Sequence, residues 1–302
     1  MSMDRRIAAF LMAGACVVCA LQGARGQADQ ADGDAPHVDV RIVGPVSTKD
    51  LLEGLGRYLK DKDGLVLNGK VGLTNADALY ALAAGKADLA ILSKPLTGDD
   101  RADYPDALLQ DLPIGMEVVA IGVSTDVWDA GVHSITPDTM RAIYEQKITN
   151  WKALGGPDEA ITFYDYEQGA GIWEVFADWL YGDDRKAPFP KVQTVATSQD
   201  ARDDLEFTAG AMVPMAAGFV DGVRCHALGV TLSGSLAQPI AADVASGKYP
   251  IQRPLSAVTV GRPTNAIRVV TEFLTSADGQ ALLKKTGALG LEAVPKPAST
   301  DY

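Results

Sequence analysis

Hydrophobic positions change period repeatedly along this chain, and each change predicts an element. Val38, Val40 and Ile42 alternate as in a half-buried strand, which Gly44-Pro45 ends. Leu51, Leu52, Leu55, Tyr58 and Leu59 then share one helical stripe. A second helix is expected from Asn75, a good N-cap, with Leu79, Tyr80, Leu82 and Ala83 on its apolar side. Ala87 to Leu92 reads as a short strand stopping at Ser93-Lys94-Pro95, and Glu117 to Ser124 (EVVAIGVS) as another. Thr136 caps a helix with Pro137 at its first position and Met140, Ile143 and Tyr144 as its stripe. The strand Ile161 to Tyr166 (ITFYDY) leads through a glycine-rich turn, Glu167 to Gly171, into a helix. Val175, Phe176, Trp179 and Leu180 line that helix, and Gly182 ends it. Thr264 and Ser276 cap two late helices, with Ile267, Val270 and Leu274, then Leu282 and Leu283, facing inward. Strands alternating with helices predict an α/β fold with mostly parallel sheets.

The first residues break this pattern. Arg5 and Arg6 precede an apolar run, Ile7 to Leu21, followed by the small residues Gly23 to Gly26. That order is an export signal, expected over 1–26, with a flexible acidic leader over 27–37. The run falls short of the ~20 apolar residues a membrane span needs, so no span is expected after cleavage. Cys16 and Cys19 would leave with the signal, and Cys225 then has no partner for an internal disulfide. Export would remove three of 27 basic and one of 39 acidic side chains, taking the net charge from −12 to −14. Nucleic acid and anionic membranes are poor partners for such a chain. A small anion is not excluded, because local donors decide its binding.

Catalytic chemistry finds little support. His37, His133 and His226 show no metal-ligand spacing, no G-x-S-x-G elbow is present, and no cofactor is expected. The acidic run Asp200, Asp203 and Asp204 reads as the solvated face of a helix.

Five segments carry a resemblance. Ile135 to Asp158 (ITPDTMRAIYEQKITNWKALGGPD) resembles the helix and "kITNWkdlGG" loop of periplasmic phosphate-binding receptors of ABC transporters. In order along the chain, Gly44 to Thr48 resembles that family's first Gly/Ser/Thr loop, and Gly85 to Leu96 its "G-tADia-sSRpL" segment. Lys248 to Leu255 (KYPIQRPL) resembles "kYPisRPL", and Phe273 to Leu283 the last helix pair. The resemblance implies a type II periplasmic-binding fold, two α/β lobes joined by two crossing strands with a ligand cleft between them. The crossings are expected at Met116 to Val123 and around Phe219 to Leu228. Lobe one is then 38–117 plus 224–302, and lobe two 118–223.

By the same resemblance, the chain is a monomeric, non-enzymatic periplasmic solute-binding protein, with an ABC permease as partner. Its ligand is phosphate or another small oxyanion or organic acid. The ligand residues implied are Ser47, Thr48, Thr74, Ser93, Lys94, Ala170, Gly171, Ile172 and Trp173. Ser47 and Thr48 equally suit plain N-capping, and Lys94 stands where the family has Arg, keeping charge without the planar fork. The sharpest departure is at Ala170, Gly171, Ile172 and Trp173, where the family has Ser-Gly-Thr-Arg. Two hydroxyls and a guanidinium are missing there, and Trp173 suits either an organic ligand or lobe packing. A relative that has lost phosphate binding and serves as sensor or scaffold is the alternative, with a phosphatase-like hydrolase after it.

Overall fold

The computed structural model of the protein describes residues 39–183, 186–188 and 192–296, so the expected signal peptide and leader lie outside the described residues. The first stretch runs β1 (Asp39–Gly44), α1 (Lys49–Asp63), β2 (Val66–Val71), α2 (Asn75–Ala83), β3 (Leu89–Leu92) and α3 (Gly98–Asp103). A long strand, β4 (Leu109–Ser124), leads to α4 (Thr125–Asp129), β5 (Ser134–Ile135), α5 (Pro137–Tyr144), β6 (Thr162–Asp165) and α6 (Gly171–Tyr181). Then come β7 (Gln193–Thr194), α7 (Ser198–Phe207), β8 (Ala211–Ala216), β9 (Cys225–Leu232), β10 (Ser235–Ala237) and α8 (Ala241–Ala245). The last elements are β11 (Gln252–Val260), α9 (Asn265–Thr275) and α10 (Ala277–Lys285). Among the described residues, no helix is long and apolar enough to cross a membrane.

The strands join in the order β2-β1-β3-β11-β4-β8-β6-β7, and β9 lies on β4 while also pairing β5 and β10. One sheet thus serves two cores. In the first lobe, alternation along β1 sends Val40 and Ile42 to one face, against Leu51, Leu55 and Leu59 of α1. Val43 goes to the other face, against Leu79 and Leu82 of α2. In the second lobe, Tyr144 of α5 and Phe176 and Leu180 of α6 cover one face. Trp173 of α6 and Leu205 of α7 cover the other. Trp151, from the most diagnostic family motif, is fully buried with its indole N–H donating to the Gly210 carbonyl at 2.9 Å. That motif is therefore a core anchor of the second lobe.

Two expectations need correction. The sheet is mixed rather than mostly parallel. The long strand β4 pairs antiparallel with both β11 and β8, because β4 carries the chain out and β11 carries it back. The return also comes later than Phe219 to Leu228. β9 pairs with the far half of β4 and with β5, inside the second lobe. Val244, Tyr249 and Ile251 still pack with that lobe, and the first-lobe core resumes at Leu255. Tyr249 fixes the crossing by donating its hydroxyl to the Val119 carbonyl at 2.7 Å. Residues 224–251, expected in lobe one, thus pack with lobe two. Within β4 itself, residues up to Val118 pair with β11 and those from Val119 pair with β8.

Local signals explain most element ends. Gly182 takes a left-handed conformation (φ 72°) that closes α6. Thr136 accepts from Thr139 N–H with Pro137 following it, as expected for α5. Asn75 does not cap α2. Thr74 does, accepting from Asp77 N–H at 3.1 Å, and Asn75 becomes the first helical residue.

Candidate functional site

A cleft of about 560 Å³ opens where the two lobes meet. Val46 to Leu51 at the start of α1 form one wall, and Tyr166, Ala170, Gly171, Ile172 and Val175 at the start of α6 form another. Ala196 to Gln199 at the start of α7 and Thr286 to Ala288 also line it, with Glu117, Val118 and Val119 of β4 where the lobes join. Three helix N-termini therefore face one space. The leading N–H groups of a helix have no partner within it and carry partial positive charge, which favours an anion.

The approach across the cleft is tight at Gly171. A Cβ built there would lie 3.2 Å from Ser47 Cβ and 2.9 Å from Arg253 Nη2. Only glycine leaves this backbone open to both. The hydrogen-bond ladder of α6 begins with Glu174 N–H donating to Ala170 carbonyl at 2.9 Å, so the N–H groups of Gly171 and Ile172 precede it. Ala170 occupies the N-cap position with extended backbone and supplies no side-chain cap.

The other two helix starts are partly satisfied from within. Thr48 is buried and donates its hydroxyl to the Pro45 carbonyl at 2.7 Å, whereas Ser47 is exposed to the cleft. At α7 a capping box binds Thr197 to Asp200: Asp200 N–H donates to Thr197 Oγ1 at 3.1 Å, and Thr197 N–H donates to Asp200 Oδ2 at 3.0 Å. Ser198 Oγ accepts from Ala216 N–H and lies 3.1 Å from the Tyr166 hydroxyl. At α7 a side chain already caps the first N–H groups, and before α1 the Thr48 and Lys49 N–H groups donate to the Pro45 and Val46 carbonyls, which leaves the uncapped start of α6 as the better anion donor.

The structure brings Ser47, Thr48, Ala170, Gly171 and Ile172 to the cleft wall, and places four other expected residues elsewhere. Thr74 spends its hydroxyl on the α2 cap, donating to Asp77 Oδ2 at 2.8 Å. Ser93 is buried, its N–H donating to Asn75 Oδ1 at 3.0 Å. Lys94 donates to both carboxylate oxygens of Asp100, at 2.6 and 2.8 Å, and so is held by the first turn of α3. Trp173 is buried in the second lobe, with its indole N–H donating to the Tyr144 hydroxyl at 3.1 Å.

Sequence reasoning missed Arg253, Glu117 and Glu174. Arg253 faces Glu117 directly across the β11–β4 ladder, and its Nε donates to the Glu117 carboxylate. Its Nη1 donates to Glu174 Oε2 at 3.2 Å, from the first turn of α6. The Arg lies in the KYPIQRPL segment, so its presence was readable but its partners were not.

This geometry has known counterparts. The chain belongs to the PBP superfamily, whose domain profile matches residues 71–278. It is 23% identical over 288 residues to the phosphate-binding protein PstS of Bacillus subtilis (strain 168), covering 93% of this chain and 91% of that protein. An ABC-type phosphate transport receptor from Vibrio cholerae superposes with a TM-score of 0.62 at 22% identity, over 83% of this chain and 99% of that one. PstS from Borrelia burgdorferi superposes with a TM-score of 0.62 at 20% identity, over 84% and 99% of the two chains. The shared architecture is the two-lobed α/β fold.

Proposed function

We propose that this chain is an exported solute receptor that holds phosphate, or a similar small oxyanion, in the interlobe cleft and delivers it to an ABC permease. The observation that carries the reading is the meeting of Gly171, at the start of α6, with Ser47, at the start of α1, from opposite lobes. An anion placed there draws on the free N–H groups of the α6 N-terminus and on the Ser47 hydroxyl, and would tie the lobes together. The relatives named as phosphate receptors support the choice of ligand. In this reading the ligand set is the Gly171 and Ile172 N–H groups and the Ser47 hydroxyl, because the Thr48 and Lys49 N–H groups already donate to the Pro45 and Val46 carbonyls. Lys94, Thr74, Ser93 and Trp173 act outside it. The missing hydroxyls at Ala170 and Ile172 remove charge-assisted donors, each worth about 1.5–3 kcal/mol, so a weaker or less selective site is expected than a full Ser-Gly-Thr-Arg loop provides.

Titration calorimetry with phosphate, sulfate and small organic acids tests the reading. Saturable phosphate binding that weakens in Ser47→Ala and is unchanged in Lys94→Ala is expected. Binding that ignores Ser47 but is lost in Lys94→Ala would place the ligand elsewhere. No oxyanion binding at all would favour the sensor or scaffold alternative.

A further inference from the structure

Arg253 sits at the hinge with its three nitrogens in three environments. Nε donates to Glu117, the residue opposite it on the neighbouring antiparallel strand. Nη1 donates to Glu174 at 3.2 Å, and Nη2 points at Gly171, where a Cβ would come within 2.9 Å. The guanidinium thus borders the α6 N–H groups and lies beside Ser47.

The two carboxylates differ. Glu117 and Arg253 are both largely buried, with side chains 16% and 18% exposed, and strand register fixes them together. Glu174 is 38% exposed and reaches the guanidinium from the other lobe through one nitrogen. We propose that Arg253 is the ligand-facing cation of the cleft and that Glu174 is its displaceable counter-ion, a tethered carboxylate that the ligand oxyanion must replace. This rests on the reading of the cleft as an oxyanion site.

The chemistry favours exchange. A guanidinium presents paired N–H donors that fit a carboxylate and a phosphate equally well. A carboxylate anchored on α6 competes at an effective concentration set by its tether, of order millimolar for short flexible links. A ligand with two anionic oxygens on one centre can take its place, whereas a neutral solute accepts only weaker hydrogen bonds and cannot replace the carboxylate's charge. Lys49 and Asp50 also line the cleft from α1, one of each sign, and do not alter the balance. When the oxyanion enters, Glu174 is released toward solvent and its contact between α6 and β11 is replaced by the ligand's own.

The test is a double-mutant cycle read by calorimetry with inorganic phosphate on the wild type, Glu174→Gln, Arg253→Gln and the double variant. Glu174→Gln is expected to tighten phosphate at least tenfold and Arg253→Gln to weaken it at least tenfold. The gain from Glu174→Gln should vanish in the Arg253→Gln background. A gain that persists without Arg253 would show Glu174 to be a general negative charge and would overturn the proposal. Phosphate binding by the wild type with no gain in Glu174→Gln would overturn it too, while leaving the oxyanion site standing. No binding by either the wild type or Glu174→Gln would remove both. Should Arg253→Gln fail to fold, Arg253→Met, which removes the charge and keeps a long side chain, takes its place in the cycle, and the same loss of the Glu174 gain is expected.

Discussion

The indole N–H of Trp173 donates to the Tyr144 hydroxyl at 3.1 Å, and Tyr144 in turn donates to Asp165 Oδ2 at 2.9 Å. All three side chains are buried in the second lobe. The position where the resemblance implies a ligand-binding guanidinium therefore serves the core, and restoring the family's Arg there would place a cation among apolar groups. Trp173→Arg is expected to cost at least as much as the ~3–5 kcal/mol of a large-to-small core change. Trp173→Phe, which removes one hydrogen bond, should cost about 1–3 kcal/mol. Urea denaturation of the two variants checks the ordering, and equal stability to the wild type in both would contradict it.

Asp165 makes the same network pH-dependent. Burial pushes its carboxyl up to about 6, against the hydrogen bonds from Tyr166 N–H and Tyr144 that act the other way. In the unfolded chain the same group titrates near 3.8. Between these values the folded state binds more protons, so this group's contribution to stability falls as pH rises from about 4 to about 6 and is constant above. The shift corresponds to about 3 kcal/mol. Asp165→Asn should remove this slope, seen as a wild-type-minus-variant stability difference that declines from pH 4 to 6.5. A difference independent of pH would show that Asp165 is ionised throughout.

Ala170 is a position where stability can be gained. It holds the N-cap position of α6 with extended backbone (φ −68°, ψ 142°) but has no cap to give. Ala170→Ser should stabilise the protein by about 1 kcal/mol, measured as a higher denaturation midpoint at unchanged slope. Destabilisation would mean that the site cannot accept a hydroxyl.

Much of the fold was legible because its core faces keep simple periods. The α1 stripe from Leu51 to Leu59 and the apolar run Leu89 to Leu92 are both visible as patterns. β2 lacks an apolar pattern because it is an edge strand with the sequence VLNGKV, none of whose side chains is fully buried, so they do not alternate. β8 shows no alternation because it is buried on both faces and interrupted by Pro214, which leaves no period to read. At the site, Ser47 and Gly171 were marked by local motifs. The Arg253–Glu174 contact was not, since the two residues are 79 positions apart and meet only when the lobes fold together. Trp173 was ambiguous because α6 buries side chains on both of its flanks, and composition alone does not say which flank faces the ligand.

Gly171 separates stability from binding. Gly171→Ala would crowd Arg253 Nη2 and Ser47, so the guanidinium held by Glu117 and Glu174 must shift by a few tenths of an ångström. Helix propensity favours Ala over Gly by up to about 1 kcal/mol, which offsets part of that crowding, so the melting temperature should change far less than the affinity. Phosphate affinity should nevertheless fall at least tenfold, read by calorimetry. A variant that binds as well as the wild type would show that the close approach is incidental.

The interlobe oxyanion site is tested most directly by a crystal structure of the protein grown with saturating phosphate. Tetrahedral density is predicted in the cleft, within hydrogen-bonding distance of the Gly171 and Ile172 N–H groups and the Ser47 hydroxyl. Density at Lys94 instead, or an empty cleft at saturating phosphate, would contradict it.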